Sequence, residues 1–388
     1  MQYDLTEEQE MIRQTVRKLA VDKVAPRAAE IDETEEYPWD ILELLKENAL
    51  MGADVPEVYG GMGSGPLALC IIIEELSKAC ASTGLIPAVQ ELGLLPILLG
   101  GSEEQKQKFL PKIASGEHLS ACAITESGAG SDVGSIQTRA VKDGDEYILN
   151  GTKIFITNGG IGNVYSVFAK TDPDTAKSSK ALSTFIVEKG SPGFSVGKHE
   201  KKLGIRGSDT TELIFEDCRI PAANLLGGEG MGFAICMKTL DFSRPGIAAQ
   251  ALGIAQGALD YAVGYAKERK QFGKPIATFQ GIQFMLADMT TQVEAARQLL
   301  YKTASLLEKQ AKDMSRLPAE VIRFSSMSKN FASDTAMKVT VDAIQVLGGY
   351  GYIREYPVER MMRDAKITQL YEGTNQIQRV VIANTLMG

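Results

Sequence analysis

At 388 residues the chain is long for a single hydrophobic core, and two or three domains are expected. Its 44% hydrophobic and 23% charged residues are an ordinary balance for a soluble globular protein. A net charge of −8 argues against nucleic acid as the main partner, because phosphate backbones need clustered lysine and arginine, yet it leaves room for a phosphate-bearing cofactor held at one cationic spot.

Met1-Gln2-Tyr3-Asp4 opens the chain without a basic or apolar leader, and the longest apolar run, residues 67–73, is too short to cross a bilayer. No membrane association is expected. Cys70, Cys80, Cys122, Cys218 and Cys236 are scattered without CxxC spacing, which suggests reduced thiols and a cytoplasmic protein. His118 and His199 stand far apart, so no metal centre or histidine triad is expected and acid–base work falls to carboxylates.

The first 120 residues read as helices. Thr6 with Gln9 forms a capping box ahead of Ile12, Val16, Leu19 and Ala20 on one face. Pro38 starts a second helix through Ile41, Leu44 and Leu45. After the glycine-rich loop 60–66, a third carries Leu69, Ile72, Ile73 and Leu76, a fourth runs over about 86–99, and a short amphipathic one over 103–113. From 121 to 229 the texture becomes β. Asn150-Gly151 between apolar runs predicts a hairpin turn, and further strands are expected at 165–169, 183–188, 194–196 and 211–216. Short strands with no helices between them indicate an antiparallel domain. From residue 230 the helical period returns. Ile282, Leu286, Met289, Val293, Ala296 and Leu300 form a bundle seam, and Ile247, Ala251, Ile254, Ala258 and Tyr261 form another. A third helix over about 329–347 ends at Gly348-Gly349, and one after Thr374 closes the chain. The expected fold is therefore α+β and multidomain: a helical domain (1–120), an antiparallel β domain (121–229) and a C-terminal four-helix bundle (230–388).

Several stretches could carry chemistry. Tyr371-Glu372-Gly373-Thr374-Asn375-Gln376 puts a carboxylate on a tight turn at a helix mouth, with Asn375 and Gln378 in capping-box spacing; Arg363 and Lys366 bring cations into the same segment. The run TESGAGSD (125–132) crowds small hydroxyls and glycines. It suits close approach to a ligand or a plain strand-end loop, and its G-x-G-x-x-x-G spacing is not a dinucleotide fingerprint. Phe155-Ile156-Thr157 ends a strand with an aromatic that either flanks a planar ring or joins the core. Arg269 and Phe272 follow a helix end, where the dipole favours cations with or without a phosphate. Gln345 with Gly348 and Gly349 reads first as a helix C-cap. Asp241-Phe242-Ser243-Arg244-Pro245 reads as a helix start, with Arg244 either pairing Asp241 or holding a ligand phosphate.

Taken together and in order, TESGAGSD, FITNGG (155–160), ERKQFGKPI (268–276), QVLGGYGY (345–352), EYPVERMMRDAK (355–366) and YEGTNQIQR (371–379) resemble the acyl-CoA dehydrogenase family over the whole chain. The resemblance implies FAD bound without a Rossmann domain. Ala123, Ile124, Thr125, Gly130 and Ser131, with Phe155, Ile156 and Thr157, would line the flavin. Arg269, Phe272, Gln345, Gly348 and Gly349 would bind the FAD of a neighbouring subunit, and Thr374 and Gln376 that of their own. Ser131, Asp241, Arg244, Glu372 and Gly373 would meet the acyl-CoA, and Glu372 would be the base. Many members have proline at the position of Ser127 and tryptophan at that of Phe155. Some carry the base at the position of Ser243, which as serine cannot serve. The implied reaction removes the α-proton of a thioester while the β-hydride goes to flavin, giving a trans-2-enoyl-CoA. Electrons would pass to an electron-transferring flavoprotein, and the implied assembly is a homotetramer, a dimer of dimers. An acyl-CoA oxidase, an enoyl-CoA reductase or a non-catalytic CoA-binding relative are the alternatives on the same fold. Residues 83–99 would line the bottom of the acyl pocket. Their apolar content (Leu85, Ile86, Ala88, Leu92, Leu94 and Leu95) fits a short, branched or alicyclic acyl group, unless Gln90 and Glu91 face a polar tail.

Overall fold

The computed structural model describes residues 5–171, 179–310 and 317–387, so the opening Met1–Asp4 lies outside the described residues. Helix α1 (Glu7–Leu19) begins at the reciprocal Thr6–Gln9 capping box that the spacing predicts and buries Ile12 and Val16. The helical path continues through one wide turn into α2 (Ala28–Thr34), and α3 (Trp39–Glu47) starts directly after Pro38. Then come α4 (Gly65–Ala79), α5 (Ala81–Gly100) and α6 (Glu103–Ala114). Helix α5 begins at Ala81, earlier than the apolar period alone suggests. Its 20 residues, with mean hydropathy 1.4, are long and apolar enough to cross a bilayer, but 78% of that window is buried inside the protein. A helix apolar on all sides is what a core position requires.

The β domain comprises β1 (Ser120–Ala123), β2 (Arg139–Asp143), β3 (Glu146–Thr157), β4 (Val164–Lys170), β5 (Leu182–Glu188), β6 (Phe194–His199), β7 (Thr210–Pro221) and the short β8 (Leu225–Leu226). The sheet order is β6-β7-β3-β2-β4-β5-β8, with β1 also on β4. Most pairs are antiparallel, while β1 and β2 run parallel to β4. The hairpin expected at Asn150-Gly151 is not there. Strand β3 runs straight through that dipeptide, and the turn from β2 falls at Gly144-Asp145, where Gly144 has φ +61°. Asn150-Gly151 forms a bulge instead. The ladder to β7 slips between Leu149 and Gly151, and the Asn150 side chain exchanges hydrogen bonds with Asp217 (3.0 and 2.8 Å). Gly151 is needed because a Cβ there would lie 2.5 Å from Thr138 Oγ1.

The C-terminal part holds α7 (Gly232–Glu268), a small ribbon of β9 (Lys270–Gln271) and β10 (Lys274–Pro275), α8 (Gln280–Glu308), α9 (Ala319–Leu347), α10 (Val358–Ile367) and α11 (Asn375–Met387). Met289, Val293, Ala296 and Leu300 of the expected seam are buried. Asp241 to Pro245 correct the sequence reading: they lie inside the 37-residue α7, not at its start. Proline cannot donate to the Asp241 carbonyl one turn back, and Ser325 Oγ from α9 takes that place at 2.6 Å. One hydrophobic core joins α1–α5 to the bundle. Gly253 allows that contact, since a Cβ there would come within 2.4 Å of the Glu74 carbonyl on α4. Arg363 of α10 clamps the parts together through Asp32 and Glu359, and buried Asp364 accepts the Ile205 N–H at 2.5 Å.

Candidate active site

Glu372 lies on the connection from α10 to α11. It adopts φ +49° and is followed by Gly373 at φ +87°, so two consecutive left-handed residues make the tight turn read from the sequence. For a residue with a Cβ this costs about 1–2 kcal/mol, and surrounding bonds must hold it. Gln378 Nε2 donates to the Glu372 and Gly373 carbonyls (3.1 and 2.9 Å), and Lys329 Nζ donates to Gly373 O (2.7 Å). The helix cap differs from the sequence reading. Thr374 Oγ1, not Asn375, accepts the Ile377 N–H (3.3 Å), and the Asn375 amide is buried against Lys329, Ser333 and Asp334 of α9. Gln376 is exposed on the first turn of α11.

The Glu372 carboxyl faces α7. Ser243 Oγ donates to Oε2 at 2.6 Å, whereas Oε1 has no hydrogen bond among the described residues. Burial pushes the carboxyl up to about 7, against the Ser243 bond and the charges of Lys329 and Arg244, which pull it down. A carboxyl so placed exchanges its proton near neutral pH. Asp241 and Arg244 are buried beside it as an ion pair, and Arg244 also donates to Ser326 Oγ (3.2 Å). Burial raises Asp241 to about 6 despite the arginine. The sequence grouped Arg363 and Lys366 with Glu372. Their side chains go elsewhere, Arg363 to the clamp on Asp32 and Lys366 to Gln369.

A second cluster sits at the ends of β1 and β3. Ala123 is buried, Ile124 and Thr125 are half-buried, and Gly130 and Ser131 are exposed. Ile154 N–H donates to Thr125 O at 2.9 Å and joins this segment to Phe155, Ile156 and Thr157. Phe155 is no core residue: it is 60% exposed with φ +59°. Beneath the loop is a pair that sequence reasoning missed. Lys153 Nζ bonds Glu126 Oε1 (2.8 Å) and Ile124 O (2.9 Å), while Glu126 also accepts from Gln137 N–H, Thr138 N–H and Thr138 Oγ. A lysine in a strand read as apolar was the available signal.

A third cluster is remote from Glu372. Arg269, Phe272, Gln345, Gly348 and Gly349 share one open groove of about 570 Å³ at the other end of the bundle. Gln345 lies 16 residues beyond Lys329 on α9, about 24 Å along the helix axis. Arg269 lies over the Tyr350 ring, and Phe272 is 93% exposed with φ +53°.

On α5, Leu85, Ile86, Ala88, Leu94 and Leu95 are buried and Leu92 is half-buried. The two polar candidates separate. Gln90 is committed to the protein, bonding Ile113 O, His118 O and the Ser120 N–H. Glu91 is buried with no hydrogen-bond partner among the described residues, one oxygen lying 3.3 Å from a Cβ position on Gly246 of α7. Burial, with Asp54 and Glu372 adding to it, pushes its carboxyl well above the usual range.

Comparison with known proteins covers the same three parts. Residues 6–117, 121–218 and 230–387 match the N-terminal, middle and C-terminal domains of acyl-CoA dehydrogenase. The chain is 50% identical, over the full length of both, to the short-chain-specific acyl-CoA dehydrogenase of Clostridium acetobutylicum. It is 51% identical to the cyclohex-1-ene-1-carbonyl-CoA dehydrogenase of Syntrophus aciditrophicus, over 99% of this chain and 91% of that one. Butyryl-CoA dehydrogenase from Megasphaera elsdenii superposes with a TM-score of 0.95 at 44% identity, covering both chains completely. With all three domains matched and half of the residues shared end to end, the chain belongs to the acyl-CoA dehydrogenase family.

Proposed function

We propose that this protein dehydrogenates an acyl-CoA thioester to the trans-2-enoyl-CoA, with Glu372 as the base that removes the α-proton. The observation that carries this reading is the Glu372 carboxyl itself: half-buried, pushed by desolvation to near neutrality, steered through Oε2 by Ser243, and free of hydrogen bonds at Oε1 among the described residues. Ionised, it can accept a proton on that oxygen and become a neutral acid in a site that tolerates one.

The residues present fit FAD, the cofactor of the family. A Cβ on Gly128, Gly130, Gly348 or Gly349 would meet nothing within 4 Å, so the backbone there is open to close approach. Arg244 Nε, Asn330 Oδ1 and Gln378 Oε1 are buried without a partner among the described residues. Bound FAD supplies the acceptor for the β-hydride. Ala123, Ile124, Thr125, Gly130, Ser131, Phe155, Ile156 and Thr157 would hold its ring, and Thr374 and Gln376 would meet it at the α11 N-terminus. Ser131, Asp241, Arg244 and Gly373 would orient the CoA thioester, whose developing enolate needs hydrogen-bond donors.

The groove around Arg269 and Gly349 is too far along α9 to serve the same flavin as Glu372. It suits the FAD of a second copy, which supports a homotetramer built as a dimer of dimers. An electron-transferring flavoprotein as electron acceptor and a cytoplasmic location complete the proposal. The apolar wall of α5 favours a short, branched or alicyclic acyl group. A panel of linear, branched, alicyclic and dicarboxylic acyl-CoA thioesters, assayed with an artificial electron acceptor, tests both the reaction and this choice. Turnover with none of them would refute it, and reoxidation of the reduced flavin by air as fast as by the acceptor would make the protein an oxidase.

A further inference from the structure

Lys329 is fully buried on α9. Its ammonium donates to Gly373 O (2.7 Å) and Asn375 Oδ1 (3.0 Å), and no carboxylate lies within 4.0 Å of it among the described residues. Burying an ammonium is costly, and a glutamine could donate to the same two oxygens without that cost. The charge therefore needs a use.

The neighbouring charges show what that use is. From α7, Arg244 is neutralised by Asp241. On α9 itself, Asp334 is taken by Arg379 (2.8 Å) and Asn375. Burial pushes Glu91 from α5 and Cys122 from β1 toward their neutral forms, as it does Tyr371, whose hydroxyl is bonded to Gln250. Lys329 is thus the one cation acting on Glu372 that has no ion-pair partner of its own among the described residues, Arg244 being shared with Asp241. We propose that Lys329 is a positioning residue for Glu372: its buried ammonium braces the left-handed turn through Gly373 O and is the countercharge that keeps the Glu372 carboxylate ionised until substrate delivers the proton. The inference rests on Glu372 being the base. Desolvation lowers Lys329 and raises Glu372, each to about 7, and in each the charge of the other opposes that shift, as a charge pair requires.

Lys329→Gln keeps two donors and removes the charge, Lys329→Met removes both, and Lys329→Arg restores a charge. The readouts on FAD-loaded protein are the pH profile of anaerobic flavin reduction and an infrared titration of the carboxyl band that Glu372→Gln abolishes. In the Gln and Met variants the Glu372 midpoint should rise by about one pH unit, lowering the reduction rate about fivefold at neutral pH, up to about tenfold below it and less as pH rises, with KM little changed. Lys329→Arg should recover much of it. Variants that fold and bind FAD with an unmoved midpoint would overturn the proposal, leaving Lys329 a structural residue. Should the neutral variants fail to fold, the wild-type titration decides: coupling spreads the Glu372 band over two steps, and a single one-proton curve overturns it. If Glu372→Gln itself reduces flavin normally, the base assignment fails instead, while the infrared shift still reports the coupling.

Discussion

Two buried lysines, one in the β domain and one in the bundle, are held in opposite ways. Lys153 sits directly on Glu126 at 2.8 Å, and every oxygen of that carboxylate is engaged by Lys153, Thr138 or the Gln137 N–H. Burial lowers Lys153 only to about 8, so the pair stays charged at neutral pH. Lys329 has no such partner among the described residues, touches neutral oxygens, and is lowered further, to about 7. A satisfied pair fixes a loop and has no reason to change protonation. An unsatisfied charge opposite a half-satisfied carboxylate is poised to respond, which is what proton transfer needs.

The largest expected effect falls on the poised side. Glu372→Gln should bind FAD and acyl-CoA normally yet reduce flavin about 10²–10⁴-fold more slowly or worse, as stopped-flow absorbance would show. Glu372→Asp, with the carboxylate withdrawn by one methylene, should keep partial activity. Near-normal bleaching in the Gln variant would erase the contrast between the two lysines.

The same group should set two pH dependences. With Glu372 as the proposed base, reduction would need the ionised carboxyl, so the wild-type rate should fall as pH drops through about 7. Stability should run the other way. The folded value lies above the ordinary 4.5, so the folded chain holds more protons between 4.5 and about 7, and stability falls as pH rises across that window. Denaturant titrations should show this slope in wild type and its loss in Glu372→Gln.

On the satisfied side the expected loss is structural. Lys153→Met leaves Glu126 buried without its cation and should cost about 3–5 kcal/mol at neutral pH, with loosened flavin binding but no new rate-determining proton. Burial raises Glu126, but Lys153 and the hydrogen bonds outweigh it and hold the carboxyl below its ordinary value. The pair's contribution is therefore present above about 4.5 and lost as pH falls through the lowered folded value. Wild type and Lys153→Met should converge in acid.

The smallest expected effects test how the loop pair is built. Gly151→Ala drives a Cβ toward Thr138, which donates to Glu126, and should cost about 1–3 kcal/mol. Gly144→Ala has open space around it and only an unfavourable φ, so about 1 kcal/mol is expected. Equal shifts in melting temperature would mean that the bulge does not support the Glu126 pair.

Much of this was legible in the chain because it is local. The capping box at Thr6, the seam from Met289 to Leu300, the helix end at Gly348 and the turn at Glu372-Gly373 each depend on residues within a few positions of one another. Apolar period and turn chemistry fix such features before any distant contact forms. What the tertiary structure alone decided depends on partners far along the sequence. Asn150-Gly151 reads as a hairpin by itself and becomes a bulge because Thr138 and Asp217 close on it. Pro245 reads as a helix start, yet Ser325, 84 residues past Asp241, accepts it into a helix interior. Gln90 and Glu91 are adjacent, and only packing commits one to the backbone and leaves the other without a hydrogen-bond partner among the described residues. Lys329 stands 43 residues before Glu372 and carries no local mark beyond a cation among small residues. Its role follows from burial and from which neighbouring charges are already neutralised, and no property of the linear sequence records either.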